Sequence, residues 1–467
     1  MKDTYYLAVD IGASSGRHIL GHVENGKIVL EEIYRFENGM QRKNGHLCWD
    51  TEGLFSDIKA GLKRCDELGK IPVSMGVDTW AVDFVMLDKN GERLGDAVGY
   101  RDKRTEGMDE KVYAYISEKE LYARTGIQKQ PFNTIYQLMA VKEQRPELME
   151  QAETMLMLPD YFHYLLTGVA KSEYTNATSG QLVSPVTKEW DYELIELLGL
   201  KKEMFLPLTL PGTVVGKLKP EIAKEVGFSC TVMQPATHDT ASAVLAVPST
   251  KESVIYISSG TWSLMGTELK EANCSPESQK ANFTNEGGVD YRFRFLKNIM
   301  GLWMIQSVRK ELPKKYSYAE LCEMAEEVSD FPAVIDVNDS SFLAPDSMIE
   351  AIQEYCREHQ QAVPETPGEL ATVIYQNLAR SYGETVREIE ALTGQTFKKI
   401  HVVGGGSNAD YLNELTARYT GKEVLAGPGE ATALGNLAAQ MIASGELKDL
   451  WAARACILDS FEIRSFS

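Results

Sequence analysis

The sequence predicts an α/β protein of two domains built on one plan, and three observations predict it. The chain's 467 residues exceed what one hydrophobic core usually supports. Residues 6–20, YLAVDIGASSGRHIL, and residues 254–265, VIYISSGTWSLM, repeat one pattern: an apolar strand, a turn of small polar residues, then a second apolar strand. Strand and helix periods alternate after each of these hairpins.

Taken in order, the first turn carries Gly12 and Gly16, and residues 27–36 alternate like a third strand. Residues 52–68 predict an amphipathic helix with Leu54, Ile58, Leu62 and Cys65 on one face. Residues 73–87, VSMGVDTWAVDFVML, give two short strands around a polar turn. Residues 103–225 are mainly helical and aromatic, including LPDYFHYLLTG at 158–168, and are expected to elaborate the first domain and cover a substrate. No low-complexity linker is visible. The boundary is expected near Ala246 to Ser253, dividing residues 1–246 from 247–467. In the second half, Ile400–Val403 is a buried strand running into Gly404, Gly405 and Gly406. A helix follows, with Asn408 or Asp410 near its start, Leu412, Leu415 and Tyr419 on its apolar face, and Gly421 past its end. A short strand at Val424 and Leu425 and a helix from about Glu430 to Ala443 complete the unit.

Composition limits the partners. Hydrophobic residues make up 43% and charged residues 25%, which is ordinary for a globular chain. The formal net charge of -19 argues against nucleic-acid or anionic-membrane binding, which needs clustered cations. A local nest of N–H groups can still hold one nucleotide's phosphates. Cys48, Cys65, Cys230, Cys274, Cys322, Cys356 and Cys456 form no C-x-x-C pair and read as reduced thiols of a cytoplasmic protein. MKDTYYLAVDIG enters a strand pattern without signal-peptide organisation, and no segment approaches the roughly 18 apolar residues of a membrane span. Nothing in the sequence chooses between a monomer and a homodimer.

Four segments carry chemistry. In Asp10-Ile-Gly-Ala-Ser-Ser-Gly-Arg17, small residues let backbone N–H groups approach phosphate oxygens, and Ser14 and Ser15 add hydroxyl donors. Asp10 is placed to hold Mg²⁺ through water, since magnesium keeps several waters. Arg17 is placed to meet a transferring phosphoryl group. The segment is neither a P-loop nor a dinucleotide fingerprint. A plain hairpin turn explains it equally well until the echo at Ser258 to Thr261 is added. In Thr237-His238-Asp239-Thr240, a carboxylate stands at a strand-to-helix junction, where it can reach a hydroxyl as general base or cap the helix. His238 is a substrate donor or a satisfied structural histidine. Gly404-Gly405-Gly406-Ser-Asn408 and Gly427-Pro-Gly429-Glu430-Ala-Thr-Ala-Leu-Gly435 allow a flat ligand such as adenine to approach closely; turn formation and, at Gly435, helix packing are the alternatives. Gly76-Val-Asp78-Thr-Trp80-Ala-Val-Asp83, with Tyr100-Arg101-Asp102 downstream, has the make-up of a carbohydrate pocket or of a core Trp flanked by solvated acids.

In this order and at these distances, the motifs VDIGASSGR, VDTWAVDF, YRDKRT, PDYFHYLLTG, EYTNATSGQL, HDTASAV, SSGTWSLMG, TNEGG, LKNIMGLW, VVGGGSN and GPGEATALGN resemble the FGGY family of carbohydrate kinases. The resemblance covers nearly the whole chain. It implies the actin-like (ribonuclease H-like) ATPase fold, α/β, with two duplicated domains flanking a cleft. The Asp-Thr-Trp and Lys-Asn-Ile-Met-Gly segments set the chain apart from glycerol and xylulose kinases. They imply ATP-dependent phosphorylation of the C1 hydroxyl of L-rhamnulose, with Mg²⁺. Carried over motif by motif, Asp239 is the catalytic base. Ala13, Ser14, Ser15, Gly16, Arg17, Thr261, Gln306, Gly404, Gly405 and Asn408 serve ATP. Trp80, Ala81, Arg101, His238, Asp239, Thr240 and Asn298 serve the sugar. Family members often have Gly where this chain has Ala81, so the fit of the sugar is most open there. The competing expectations are a fuculose or xylulose kinase of the same family, and a nucleotide-dependent binding protein on the same frame.

Overall fold

The computed structural model describes residues 3–249, 253–343 and 345–467, so part of the expected boundary segment, residues 250–252, lies outside the described residues. Two compact units emerge. One comprises Met1–Ala246, Leu269–Phe295 and Ala431–Ser460; the other comprises Val247–Glu268, Leu296–Glu430 and Phe461–Ser467.

The first unit is built on strands β1 (Tyr5–Ile11), β2 (Ser15–Glu24) and β3 (Lys27–Glu37), helix α1 (Thr51–Glu67), strand β4 (Pro72–Thr79), helix α2 (Leu158–Thr167), strands β5 (Val214–Lys217) and β6 (Thr231–Met233), and helix α3 (Asp239–Leu245). Its sheet has the order β5-β6-β4-β1-β2-β3. β1 is central and buried from Tyr6 onward, so it needs the unbroken apolar run that the sequence supplies. It pairs antiparallel with β2 and parallel with β4. α1 begins at Asp50, whose side chain accepts the Gly53 N–H, and it buries Leu54, Ile58, Leu62 and Cys65. Gly61 lets α1 approach β2, because a Cβ there would lie 2.1 Å from the fully buried His18 ring.

The helix Ala431–Ser444 packs on β1 and β4, within the first unit, although it reads in sequence as the last piece of the second half. It meets α3 so closely that a Cβ on Gly435 would stand 1.7 Å from the Ser242 carbonyl. Helix packing, one of the two readings of Gly435, is therefore what that glycine serves. The expected helical elaboration forms a core of its own, with Ile135, Leu138, Met155, Trp190, Leu194 and Phe205 among its buried members.

The second unit repeats the hairpin plan with β7 (Ile255–Ser259) and β8 (Trp262–Leu269). It adds helix α4 (Pro367–Thr393), strand β9 (Lys399–Val403), helix α5 (Asp410–Thr420), and strands β10 (Glu423–Ala426) and β11 (Arg464–Phe466). The strands neighbour one another as β8-β7-β9-β10-β11. β7 pairs antiparallel with β8 and parallel with β9, as β1 does with β2 and β4. α4 starts on a reciprocal capping box of Thr366 and Glu369 and ends at Gly394 in the left-handed region. α5 ends at Gly421 and begins at Asp410, with Asn408 just before it, as its sequence predicts; its N-cap is Ala409. Among the described residues no helix is long and apolar enough to cross a membrane, and all seven cysteines are free thiols.

Candidate active site

The ends of β1 and β4 gather the acids of the first unit. The β1–β2 register sets Asp10 opposite Arg17, and their side chains form an ion pair at 3.0 Å. The turn between them is tied down: Gly12 N–H donates to the Ser15 carbonyl (2.9 Å), and Asn38 donates from its amide to Gly12 O (2.8 Å) and from its backbone to Ser14 O (3.0 Å). Ser14 is exposed, while Ala13 and Ser15 are half-buried. The parallel β1–β4 register places Asp78 beside Asp10. Asp78 is completely buried; its Oδ2 accepts from Asn436 Nδ2 (2.6 Å), and its Oδ1 has no hydrogen-bond partner among the described residues. Burial, and then the charge of Asp10, hold its carboxyl well above the usual carboxylate range.

Thr237 to Asp239 run alongside the end of β4, where Thr79 N–H donates to the Thr237 carbonyl at 3.0 Å. The N-cap of α3 is His238, with no side-chain cap bond, and Asp239 is the first helical residue. Asp239 is therefore not the N-cap, although its side chain still takes up a first-turn N–H. Its Oδ1 accepts from Thr240 N (2.6 Å) and Thr240 Oγ1 (3.2 Å), and its side chain remains 32% exposed. Burial raises its pKa; His238 and the Thr240 bonds pull it down, and Asp10 adds to the rise. A carboxylate so placed is stronger as a base than an ordinary Asp.

Glu173 braces this segment from behind. Its Oε2 accepts from Thr237 N (3.1 Å), Thr237 Oγ1 (2.7 Å) and Thr175 Oγ1 (2.6 Å). Burial outweighs these bonds and pushes its pKa up to about 7. Asn176 Nδ2 reaches both Trp80 O (3.3 Å) and Thr237 O (3.4 Å), so one amide spans two loops of the site. His238 has its own frame. Its Nδ1 lies 3.0 Å from Arg294 Nη2 and 3.2 Å from Glu286 Oε2, and its Nε2 lies 3.5 Å from Asp239 Oδ1. Burial would raise Glu286, but the Arg294 guanidinium and His238 hold it down to about 2. The motifs EYTNATSGQL and TNEGG contain Glu173, Asn176 and Glu286 without giving them a role, and Arg294 lies outside every motif.

Trp80 is 7% exposed, and its ring lies on Trp49 with centroids 3.9 Å apart. Both indole N–H groups donate to Asp83 Oδ2, from Trp49 at 2.6 Å and from Trp80 at 2.9 Å. Asp83 is thus no solvated acid but the buried acceptor that fixes the pair. Tyr100 N–H also donates to it (3.1 Å), and Arg101, itself exposed, donates to Tyr100 Oη (3.2 Å). Half-buried Ala81 precedes Val82, which sits at φ 68°, a conformation rare for a β-branched residue. Thr134 Oγ1 holds the Val82 carbonyl there at 2.8 Å.

In the second unit, Thr261 forms the β7–β8 turn, and its carbonyl accepts from Trp303 N–H (3.1 Å), seating the helix Trp303–Glu311 that carries the half-buried Gln306. Asn298 is half-buried, and its Oδ1 has no hydrogen-bond partner among the described residues. The three glycines after β9 divide their duties. A Cβ on Gly406 would meet Ser259 Oγ at 1.9 Å and one on Gly404 the Ser259 carbonyl at 2.9 Å, whereas one on Gly405 would meet nothing within 4 Å. Gly404 and Gly406 let the loop close on β7; Gly405 and Asn408 are the exposed positions. The second glycine loop lies alongside, with Gly404 N–H donating to Pro428 O (3.0 Å).

Among the described residues, no three His, Cys, Asp or Glu side chains converge tightly enough to hold a metal directly. Asp10, Asp78 and the unpartnered Asp78 oxygen nevertheless suit a hydrated divalent cation, which needs few direct carboxylates.

Sequence comparison matches residues 5–246 to the N-terminal domain and residues 255–444 to the C-terminal domain of the FGGY family of carbohydrate kinases. The rhamnulokinase of Halalkalibacterium halodurans is 54% identical over 99% of this chain and 98% of its own, and that of Bacillus subtilis 45% identical over 99% and 95%. Among solved structures, a gluconate kinase from Lactobacillus acidophilus shares the fold at 18% identity, with a TM-score of 0.80 over 100% of this chain and 94% of its own. The glycerol kinase of Plasmodium falciparum with ADP does so at 13% identity, with a TM-score of 0.75 over 99% and 94%. The chain belongs to the FGGY family of carbohydrate kinases, phosphotransferases that use ATP, generally with a divalent metal, to phosphorylate a sugar hydroxyl.

Proposed function

We propose that this chain phosphorylates L-rhamnulose at its C1 hydroxyl, with ATP and Mg²⁺, giving L-rhamnulose 1-phosphate and ADP in the breakdown of L-rhamnose. The observation that carries the reading is Asp239, a carboxylate with a raised pKa standing beside His238, in a chain 54% identical to a rhamnulokinase across its length. Asp239 accepts the hydroxyl proton as the sugar oxygen bonds to the γ-phosphorus and the bond from that phosphorus to the β–γ bridging oxygen breaks, so that ADP leaves. Ala13 to Arg17, Thr261, Gln306, Gly404, Gly405 and Asn408 serve the nucleotide. Trp80, Ala81, Arg101, His238, Thr240 and Asn298 serve the sugar. Asp10, through water, and Asp78 are the groups to hold Mg²⁺, which when bound offsets the phosphates' negative charge. We assign these roles to domains at 1–246 and 247–467 and the protein to the cytoplasm, where its free thiols stay reduced.

A coupled assay of ADP release with L-rhamnulose, L-fuculose and D-xylulose tests the proposal. L-Rhamnulose should give the highest kcat/KM, and the product should carry phosphate on C1. A preference for either other ketose would move the assignment within the family, and ADP release indifferent to all three would overturn it.

A further inference from the structure

Imidazole Nδ1 of His238 faces two groups with opposite demands, and Nε2 faces a third. At Nδ1, Arg294 Nη2 stands 3.0 Å away and can only donate, while Glu286 Oε2 stands 3.2 Å away and can only accept while ionised. At Nε2, Asp239 Oδ1 stands 3.5 Å away and is also an acceptor. Arg294 is itself fully buried, paired with Glu286 at 3.0 Å through Nη1, and bonded through Nε to the Gly287 carbonyl at 3.0 Å.

Three forms of the ring are available. A neutral ring protonated on Nδ1 would set N–H against N–H at Arg294 and turn a bare lone pair toward the Asp239 carboxylate, which is unfavourable at both ends. A neutral ring protonated on Nε2 accepts from Arg294 and points its N–H toward Asp239. A charged ring also carries a proton on Nε2, but its Nδ1–H meets the same Arg294 donor, offset only by the Glu286 charge at 3.2 Å. Nε2–H is therefore present in the one neutral form that suits Arg294 and in the charged form alike. We infer that Glu286 and Arg294 are positioning residues that keep His238 a hydrogen-bond donor at Nε2 in either charge state, so that this histidine donates to the ketose and cannot compete with Asp239 for its proton. The inference rests on the proposed assignment of His238 to the sugar. It adds what that assignment lacks: the direction of the hydrogen bond and the two buried residues that set it.

The test uses the full-length chain labelled with ¹⁵N-histidine, with His238→Gln identifying the signal. Proton–nitrogen correlation spectra at about pH 8 should show the neutral ring with Nε2 protonated and Nδ1 bare. An Nδ1–H form, or an even mixture, overturns the inference, and no activity measurement enters that result. The double variant Glu286→Gln/Arg294→Met removes both charges together and should release the tautomer preference. It should also raise KM for the ketose by about tenfold or more, the scale of one hydrogen bond near a charged group, with KM for ATP nearly unchanged. A released tautomer with an unchanged ketose KM refutes the positioning role. Arg294→Lys, which retains a donor, should recover part of the ketose affinity, and failure to do so after correct folding counts against it. If the double variant does not fold, the wild-type spectrum still decides the tautomer. A wild-type chain that turns over no ketose would sink the proposed function while leaving the tautomer result standing.

Discussion

At the scale of single residues, Asp239 combines two properties rarely found together: a partly open carboxylate and surroundings that raise its pKa. Asp239→Asn removes the base while keeping the side chain's shape and its contact with Thr240. Turnover should fall by at least about two orders of magnitude with KM for ATP little changed, and steady-state kinetics would show it. A near-normal kcat would rule out the assignment. The base works only when ionised, so kcat/KM should decline as pH falls. Because the pKa is raised, that decline should set in above the usual carboxylate range. A flat profile down to the ordinary Asp range would mean that another group takes the proton.

At the scale of elements, the placement of Asp239 depends on how closely α3 meets the helix Ala431–Ser444. Gly435→Ala would put a methyl 1.7 Å from the Ser242 carbonyl, so one helix must move. A cost of roughly 1–3 kcal/mol is expected, read as a lower melting temperature, together with a reduced kcat because Asp239 opens the displaced helix. The same contrast shows what was legible in the sequence. Both hairpins, α1 and the strand before Gly404 follow apolar alternation or unbroken apolar runs, which are local signals. Arg294 follows neither. It lies between Phe293 and Phe295 on a strand buried on both faces, so period-two alternation assigns its side chain to solvent when it is in fact fully buried. Glu173 and Asn176 look like ordinary polar helix-start residues until tertiary packing brings Thr237 and Trp80 against them. Asp83 reads as a surface acid beside a Trp; its two indole donors come from strands and turns 34 and 3 residues away.

At the scale of the molecule, stability should carry the mark of Glu173. Its folded pKa is raised from the ordinary 4.5 to about 7, so the folded chain binds that proton more tightly than the unfolded one. The stabilisation is complete below about 4.5 and is lost as pH rises through 7. Melting curves should therefore show wild type losing ground to Glu173→Gln between pH 5 and pH 8. A constant difference would mean that Glu173 is ionised throughout. The ion pair of Asp10 and Arg17 has a consequence at this scale as well. On a chain of net charge -19, an uncovered arginine in a glycine-rich turn would attract any passing phosphate. With Asp10 as its counter-charge, the turn has little to offer a lone anion or a lone cation, since either must compete with the ion pair. A metal–nucleotide complex brings both signs at once and can replace both partners in a single exchange. Calorimetry should then find ATP with Mg²⁺ binding far more tightly than ATP with a chelator, and inorganic phosphate hardly at all; equal affinities would contradict this. The turn is in effect a two-key lock.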